Sequence, residues 1–147
     1  MPAEQKSLSV LLVEDNEDDV LIAQRAFREF KVITEVLVAR DGQEALDMMT
    51  AAGRYSGGKP LRPALVLLDI TLPLMDGIAV LKRLKADPAL RGIPVVMLTT
   101  SSRMEDIVRA YENGAASYIT KPASLDEFLA LARSFEFYWT TVSKLPL

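Results

Sequence analysis

The chain has 147 residues, half of them apolar and a quarter charged, with a formal net charge of −3. That balance suits one ordinary globular domain and gives no bias toward nucleic acid or anionic membranes. There is no Cys and no His, which excludes thiol nucleophiles, disulfides, Cys or His metal sites and a histidine base.

Chemistry must therefore run on Asp, Glu, Lys, Ser, Thr or Tyr, and any metal must accept oxygen ligands, which favours Mg²⁺, Mn²⁺ or Ca²⁺. No apolar stretch approaches a membrane span, and the start MPAEQKS lacks a signal-peptide core. A cytoplasmic location is the expectation.

Short apolar runs alternate with amphipathic segments along the chain. Leu8 to Val13 reads as a strand, followed by a helix over Asn16 to Phe30 with Val20, Ala23, Phe27 and Phe30 at helical spacing. Ile33 to Val38 is a second strand. Asp41-x-x-Glu44 matches a capping box and opens a helix that fades near Ala52. GRYSGGKPLRP then forms a loop rich in Gly and Pro. Ala64 to Leu68 is the third strand, and Asp76 to Ala86 a helix. Val95 to Leu98 is the fourth strand, and Ser102-x-x-Glu105 is expected to cap a helix ended by Asn113-Gly114. Ala116 to Ile119 is a short fifth strand. Ser124-x-x-Glu127 opens a last helix running to about Val142.

Five strand–helix pairs in strict alternation predict an α/β fold, a parallel sheet covered on both faces. The flavodoxin-like (βα)5 order 2-1-3-4-5 is the favoured topology, because right-handed crossovers leave few others. A single unit is expected, with its core at about residues 8–133 and a helical extension at about 134–147. No second domain is expected.

Ligands of such sheets sit outside the carboxyl ends of the strands. The residues there are Glu14-Asp15 after the first strand, Asp69 after the third, Thr99-Thr100 after the fourth, and Thr120-Lys121-Pro122 after the fifth. A lone Asp after a strand is commonly a turn former, and an acidic pair there commonly starts a helix. Together they describe something else. Three close carboxylates repel unless a cation joins them, and Mg²⁺ suits one or two carboxylates plus waters. Lys121 and Thr99 would help neutralise a phosphoryl group, and Asp69 could be the nucleophile that receives it.

At these residues the chain resembles the receiver domains of two-component response regulators, including the chemotaxis regulator. The matching elements are Glu14-Asp15, Asp69 in LLDITLPLMDG, Thr99 in PVVMLTTS and Lys121-Pro122 in YITKP. The resemblance covers about Leu8 to Arg133. It implies that Asp69 is the phosphoacceptor. Asp15, Asp69 and the backbone carbonyl of Thr71 would be ligands of Mg²⁺ (or Mn²⁺), with Glu14 acting through water. It also implies that Thr99 and Tyr118 switch together, that Lys121 pairs with the phosphoryl group, and that the Lys121–Pro122 bond is cis. Asp76-Gly77 matches the turn behind the acceptor strand. Thr100 departs from the usual small Ala or Gly and is expected to narrow access to Asp69, slowing autodephosphorylation.

The chain is similar, within that family, to single-domain regulators associated with bacterial phytochromes, through LTTS, the long loop before the third strand and the aromatic tail. This implies a phytochrome-type histidine kinase as partner. It also implies a homodimer through helix four, strand five and helix five, with no nucleic acid or membrane partner. Phe135, Phe137, Tyr138 and Trp139 are the candidate interface aromatics. Two other readings stand beside this one. The first is a pseudo-receiver that binds without being phosphorylated. The second is an aspartyl-phosphate phosphatase of the haloacid dehalogenase type, which would need an Asp where Thr71 stands.

Overall fold

A computed structural model describes residues 8–29, 33–122 and 124–137. The strands are β1 Leu8–Val13, β2 Ile33–Ala39, β3 Leu65–Leu68, β4 Val95–Thr99 and β5 Ser117–Thr120. They alternate with α1 Glu17–Phe27, α2 Gly42–Thr50, α3 Gly77–Ala86, α4 Met104–Glu112 and α5 Leu125–Phe137. All strand pairs are parallel, in the order β2-β1-β3-β4-β5. The flavodoxin-like topology expected from the alternation is thus the one observed.

Strand periodicity divides the core in two. Leu11, Val13, Val66, Leu68, Val95 and Met97 point to the face covered by α2, α3 and α4, where they join Leu46, Met49, Ile78, Leu81 and Ala110. Val10, Leu12, Leu65, Leu67, Val96 and Leu98 point the other way, onto Val20, Ala23 and Phe27 of α1 and Phe128 and Ala132 of α5. Phe27 and Phe128 meet edge to face, with ring centroids 5.9 Å apart. Every β3 and β4 residue is buried, as a sheet covered on both faces requires.

The helix starts are set by short polar side chains. Asn16 Oδ1 accepts the Asp19 N–H at 3.1 Å, and Asp76 Oδ1 that of Ala79 at 2.8 Å. Asp41 accepts the Glu44 N–H at 2.7 Å, while Glu44 reaches back to the Arg40 N–H rather than to the cap residue. Ser124 accepts the Glu127 N–H at 3.2 Å, as its spacing predicts.

The start of α4 corrects the sequence reading. Its cap position is Arg103, which makes no side-chain cap bond. Ser101, rather than Ser102, does the local work. Its Oγ donates to Asp106 at 2.5 Å and accepts the Arg103 N–H at 3.3 Å. Ser101 is half-buried while Ser102 faces solvent, so only Ser101 can organise the turn from inside.

The helix end at Asn113-Gly114 is as expected, with Gly114 at φ +100°. No helix among the described residues is long and apolar enough to cross a membrane. Phe30, Tyr138, Trp139 and Val142 lie outside the described residues, as do the side chains of Phe135 and Phe137.

Candidate functional site

The strand register brings the site together. Val13 of β1 is level with Leu68 of β3, so Glu14 and Asp69 leave the sheet side by side. Their backbones extend the ladders: the Asp69 N–H donates to Val13 O at 3.2 Å, and the Glu14 N–H to Ala39 O at 2.9 Å. Thr99 of β4 is level with Thr120 of β5, and the Lys121 N–H donates to Thr99 O at 2.8 Å. Lys121 therefore starts one residue beyond the sheet and reaches back across it.

Behind Asp69 the chain turns into α3 through a constrained loop. The Gly77 N–H donates to Ile70 O at 2.8 Å. A Cβ at Gly77 would stand 2.0 Å from the Asp69 carbonyl oxygen, so only glycine allows this approach. Leu74, in the same loop, has φ +69° and is 95% exposed.

Lys121 Nζ donates to Asp69 Oδ2 at 2.8 Å and to Asp19 Oδ2 at 2.9 Å, and forms an ion pair with Glu14. The other oxygen of Asp69 accepts the Thr71 N–H at 3.1 Å. Glu14 Oε2 accepts the Asn16 N–H at 3.1 Å. Glu14 and Asp69 are buried, whereas Asp15 faces solvent. Burial disfavours the Lys121 ammonium, but bonds to Asp69, Glu14 and Asp19 outweigh it and hold its pKa above the ordinary value. Burial also pushes the Glu14 carboxyl up, and the Lys121 and Asn16 bonds only partly oppose it.

Glu14, Asp15 and Asp69 each offer a carboxylate oxygen, all within 4.8 Å of one another. An all-oxygen set at this spacing, open to solvent at Asp15, fits a hard divalent cation that keeps part of its water. The cluster could therefore hold a metal.

Other expected site residues are placed with different partners. Thr99 is fully buried, and its Oγ1 accepts the Ser101 N–H at 3.5 Å. Tyr118 sends its hydroxyl to Ser101 O at 2.8 Å while its ring packs on the α2–α3–α4 side of the core. Ser101 thus links Thr99, Tyr118 and α4 through its N–H, carbonyl and hydroxyl. Burial raises the Tyr118 phenol, with the Asp106 and Asp69 charges adding to it. Thr71 is joined to Asp69 through its N–H. Thr100 is exposed where β4 ends.

One expectation is overturned. Among the described residues no peptide bond is cis, so the bond before Pro122 is trans. Trans is the lower-energy form even before proline, by about 0.5–1 kcal/mol, and Lys121 reaches all its partners with it.

Sequence reasoning missed Asp19. It lies in the acidic first turn of α1, Glu17-Asp18-Asp19, where acidic residues are ordinary complements to the helix dipole. Its partner lies 102 positions away, so no local spacing could reveal it.

Residues 10–133 match the family model described as response regulator receiver domain. The chain is 38% identical to the probable methanogenesis regulatory protein FilR2 of Methanothrix harundinacea, over 93% of this chain and 86% of that protein. It is 35% identical to response regulator Rcp1 of Synechocystis, over 93% and 92%. Among solved structures, the phosphorylated cyanobacterial phytochrome response regulator RcpA aligns with a TM-score of 0.88 at 38% identity, covering 96% of this chain and 99% of its own. The Mn(2+)-bound form of Rcp1 aligns with a TM-score of 0.85 at 34% identity, covering 95% and 99%. Sequence likeness and shared fold agree, and the chain belongs to the response regulator receiver domain family.

Proposed function

We propose that this chain is a response regulator whose Asp69 accepts a phosphoryl group from a partner histidine kinase of the phytochrome type. The observation that carries the reading is the setting of Asp69. It is a nearly buried carboxylate at the end of β3, bonded to Lys121 on one oxygen and to the Thr71 N–H on the other, beside Glu14 and Asp15. In the transfer, an Asp69 oxygen forms a bond to phosphorus as the bond from phosphorus to the donor nitrogen breaks. The leaving imidazole keeps the electron pair and takes a proton from solvent.

Glu14, Asp15, Asp69 and the Thr71 carbonyl would hold Mg²⁺ (or Mn²⁺), which when bound supplies positive charge to the transferring oxygens. Lys121 releases Asp69 and takes a phosphoryl oxygen. Thr99 gives up the Ser101 N–H and turns its hydroxyl toward that group. Because Ser101 also holds Tyr118 and Asp106, the movement reaches β5 and α4. Thr100, exposed just after β4, slows attack by water in this reading, so the phosphorylated protein outlives seconds.

The output surface in this reading is the face built by α4, β5 and α5, through which two copies pair, with the C-terminal aromatics continuing it. Met104, Val108 and Tyr111 support this choice, because they are exposed at i, i+4 and i+7 along α4. The whole chain acts as one receiver unit in the cytoplasm.

Intact mass after incubation with Mg²⁺ and acetyl phosphate tests the central step. One phosphoryl adduct is expected, absent without the metal and absent in Asp69→Asn. Beryllofluoride binding covers the case in which Thr100 slows the donor. Neither adduct nor beryllofluoride complex in the wild type would overturn the reading. A monomer by light scattering at high concentration, with and without beryllofluoride, would overturn the pairing.

A further inference from the structure

We infer that Asp19 is a positioning residue that draws the Lys121 ammonium toward α1 and so holds back part of its charge from the Asp69 position. This rests on the reading of Asp69 as phosphoacceptor and concerns how strongly that site favours the modified form.

Asp19 occupies the third residue of α1, where an acidic side chain commonly reaches back to the N–H of the cap residue. Here that N–H, on Asn16, is already taken by Glu14 Oε2 at 3.1 Å. The Asp19 backbone is pinned through its own N–H to Asn16 Oδ1. Its carboxylate is thereby left without that local partner, and it lies half-buried at the edge of the cavity, where it meets Lys121 Nζ at 2.9 Å.

The lysine has little freedom of its own. Its side chain is 9% exposed and borders a small cavity between α1, α5 and the sheet, walled by Leu12, Ile22, Leu98 and Phe128. Within that collar the ammonium is placed by its carboxylate partners Glu14, Asp19 and Asp69. Glu14 and Asp69 belong to the candidate metal cluster, and Asp19 does not. A divalent cation can therefore relieve the first two while leaving Asp19 in contact with Lys121.

Phosphorylation adds negative charge at Asp69. The Asp19 charge then opposes the modified state twice, by direct repulsion and by competing for Lys121. Both effects act at short range and in partly buried surroundings, where they are screened less than at an open surface.

The test is beryllofluoride affinity at fixed Mg²⁺, with thermal melting of the ligand-free protein measured alongside. Asp19→Asn should bind the anion about threefold to tenfold more tightly than wild type, and Asp19→Glu should return it close to wild type. Asp18→Asn removes a neighbouring charge from the same helix turn, on an exposed position, and should leave affinity unchanged. A purely structural role predicts the opposite pattern, lower melting and weaker binding in Asp19→Asn. Equal affinity, weaker affinity, or an equal gain in Asp18→Asn would each overturn the inference while leaving the phosphoacceptor reading intact. A wild type that binds Mg²⁺ but forms neither a phosphoryl adduct with acetyl phosphate nor a beryllofluoride complex would instead remove that reading, and the inference with it.

Discussion

Around Lys121 several carboxylates share one ammonium. Around Glu44 the charges are matched, one carboxylate to one guanidinium. One carboxylate accepts the Arg40 N–H at 2.7 Å and the Tyr55 hydroxyl at 2.8 Å, and pairs with Arg54. Arg54 also donates to the Tyr55 hydroxyl at 2.9 Å, with its guanidinium 5.1 Å from that ring centroid. This second cluster ties the loop after α2 to the helix it leaves, helped by the Leu61 N–H on Met48 O at 2.8 Å.

Both regions are built from ion pairs, yet only one is left with unmatched negative charge. A cluster whose charges are matched locally is a fastening. A buried cluster with too few cations has an affinity for another one. The difference is the physical reason for placing function at Lys121 and structure at Glu44.

The largest expected break in this comparison is Lys121→Met. It leaves buried Glu14 and Asp69 without their cation and should cost about 3 kcal/mol. Millimolar Mg²⁺ should restore much of that stability in denaturant titrations, because it binds the folded state alone. Disruption of the Glu44 cluster by Arg54→Met should cost far less stability, since that guanidinium is solvated, and Mg²⁺ should not restore it.

Backbone substitutions sharpen the contrast at smaller scale. Gly77→Ala drives a methyl into the Asp69 carbonyl, which cannot step aside, and should cost about 2–3 kcal/mol with impaired anion binding. At Gly53, with φ +57°, an added Cβ meets the Asp47 carboxylate instead. Gly53→Ala should cost about 1–2 kcal/mol from the left-handed backbone, with beryllofluoride binding unchanged. Equal loss of binding in the two variants would refute the separation of fastening from site.

The smallest effect is the pH response, and its sign differs between the clusters. Burial works against the Glu44 carboxylate, but the Arg40 N–H, Tyr55 and Arg54 overcome it and hold its pKa below the ordinary value. Its contribution to stability is complete above the unfolded value and is lost as pH falls through the folded one. Glu14 is shifted upward, so its ionisation opposes folding above its folded value, and that penalty fades as pH falls toward the unfolded value. In metal-free melting curves between about pH 3 and 7, Glu44→Gln should flatten the acid-side loss. Glu14→Gln should raise stability at the neutral end. Shifts of the same sign would contradict the assignment.

Much of the site was legible because each part sits at a local landmark. Asp69 directly follows an unbroken apolar strand, and Lys121 follows a short strand pattern and precedes Pro122. Alternation of strands and helices then places both at one edge. Ser101 was less legible, because Ser102-x-x-Glu105 is the better local capping pattern, and only the packing of Tyr118 and Asp106 makes Ser101 the organising residue. The bond before Pro122 was read as cis by resemblance and is trans.

What the sequence determined by itself was the periodicity of each segment, the order of strands and helices, the oxygen-only chemistry and the residues that end the strands. These follow from backbone and side-chain properties that act over a few positions. What only the tertiary structure decided was how charge is shared. The partnership of Lys121 with Asp19 joins the start of α1 to the end of β5, and it exists because the parallel register stacks distant strand ends at hydrogen-bonding distance. Electrostatic partners are chosen by distance in space and by burial, and neither is encoded in the spacing along the chain.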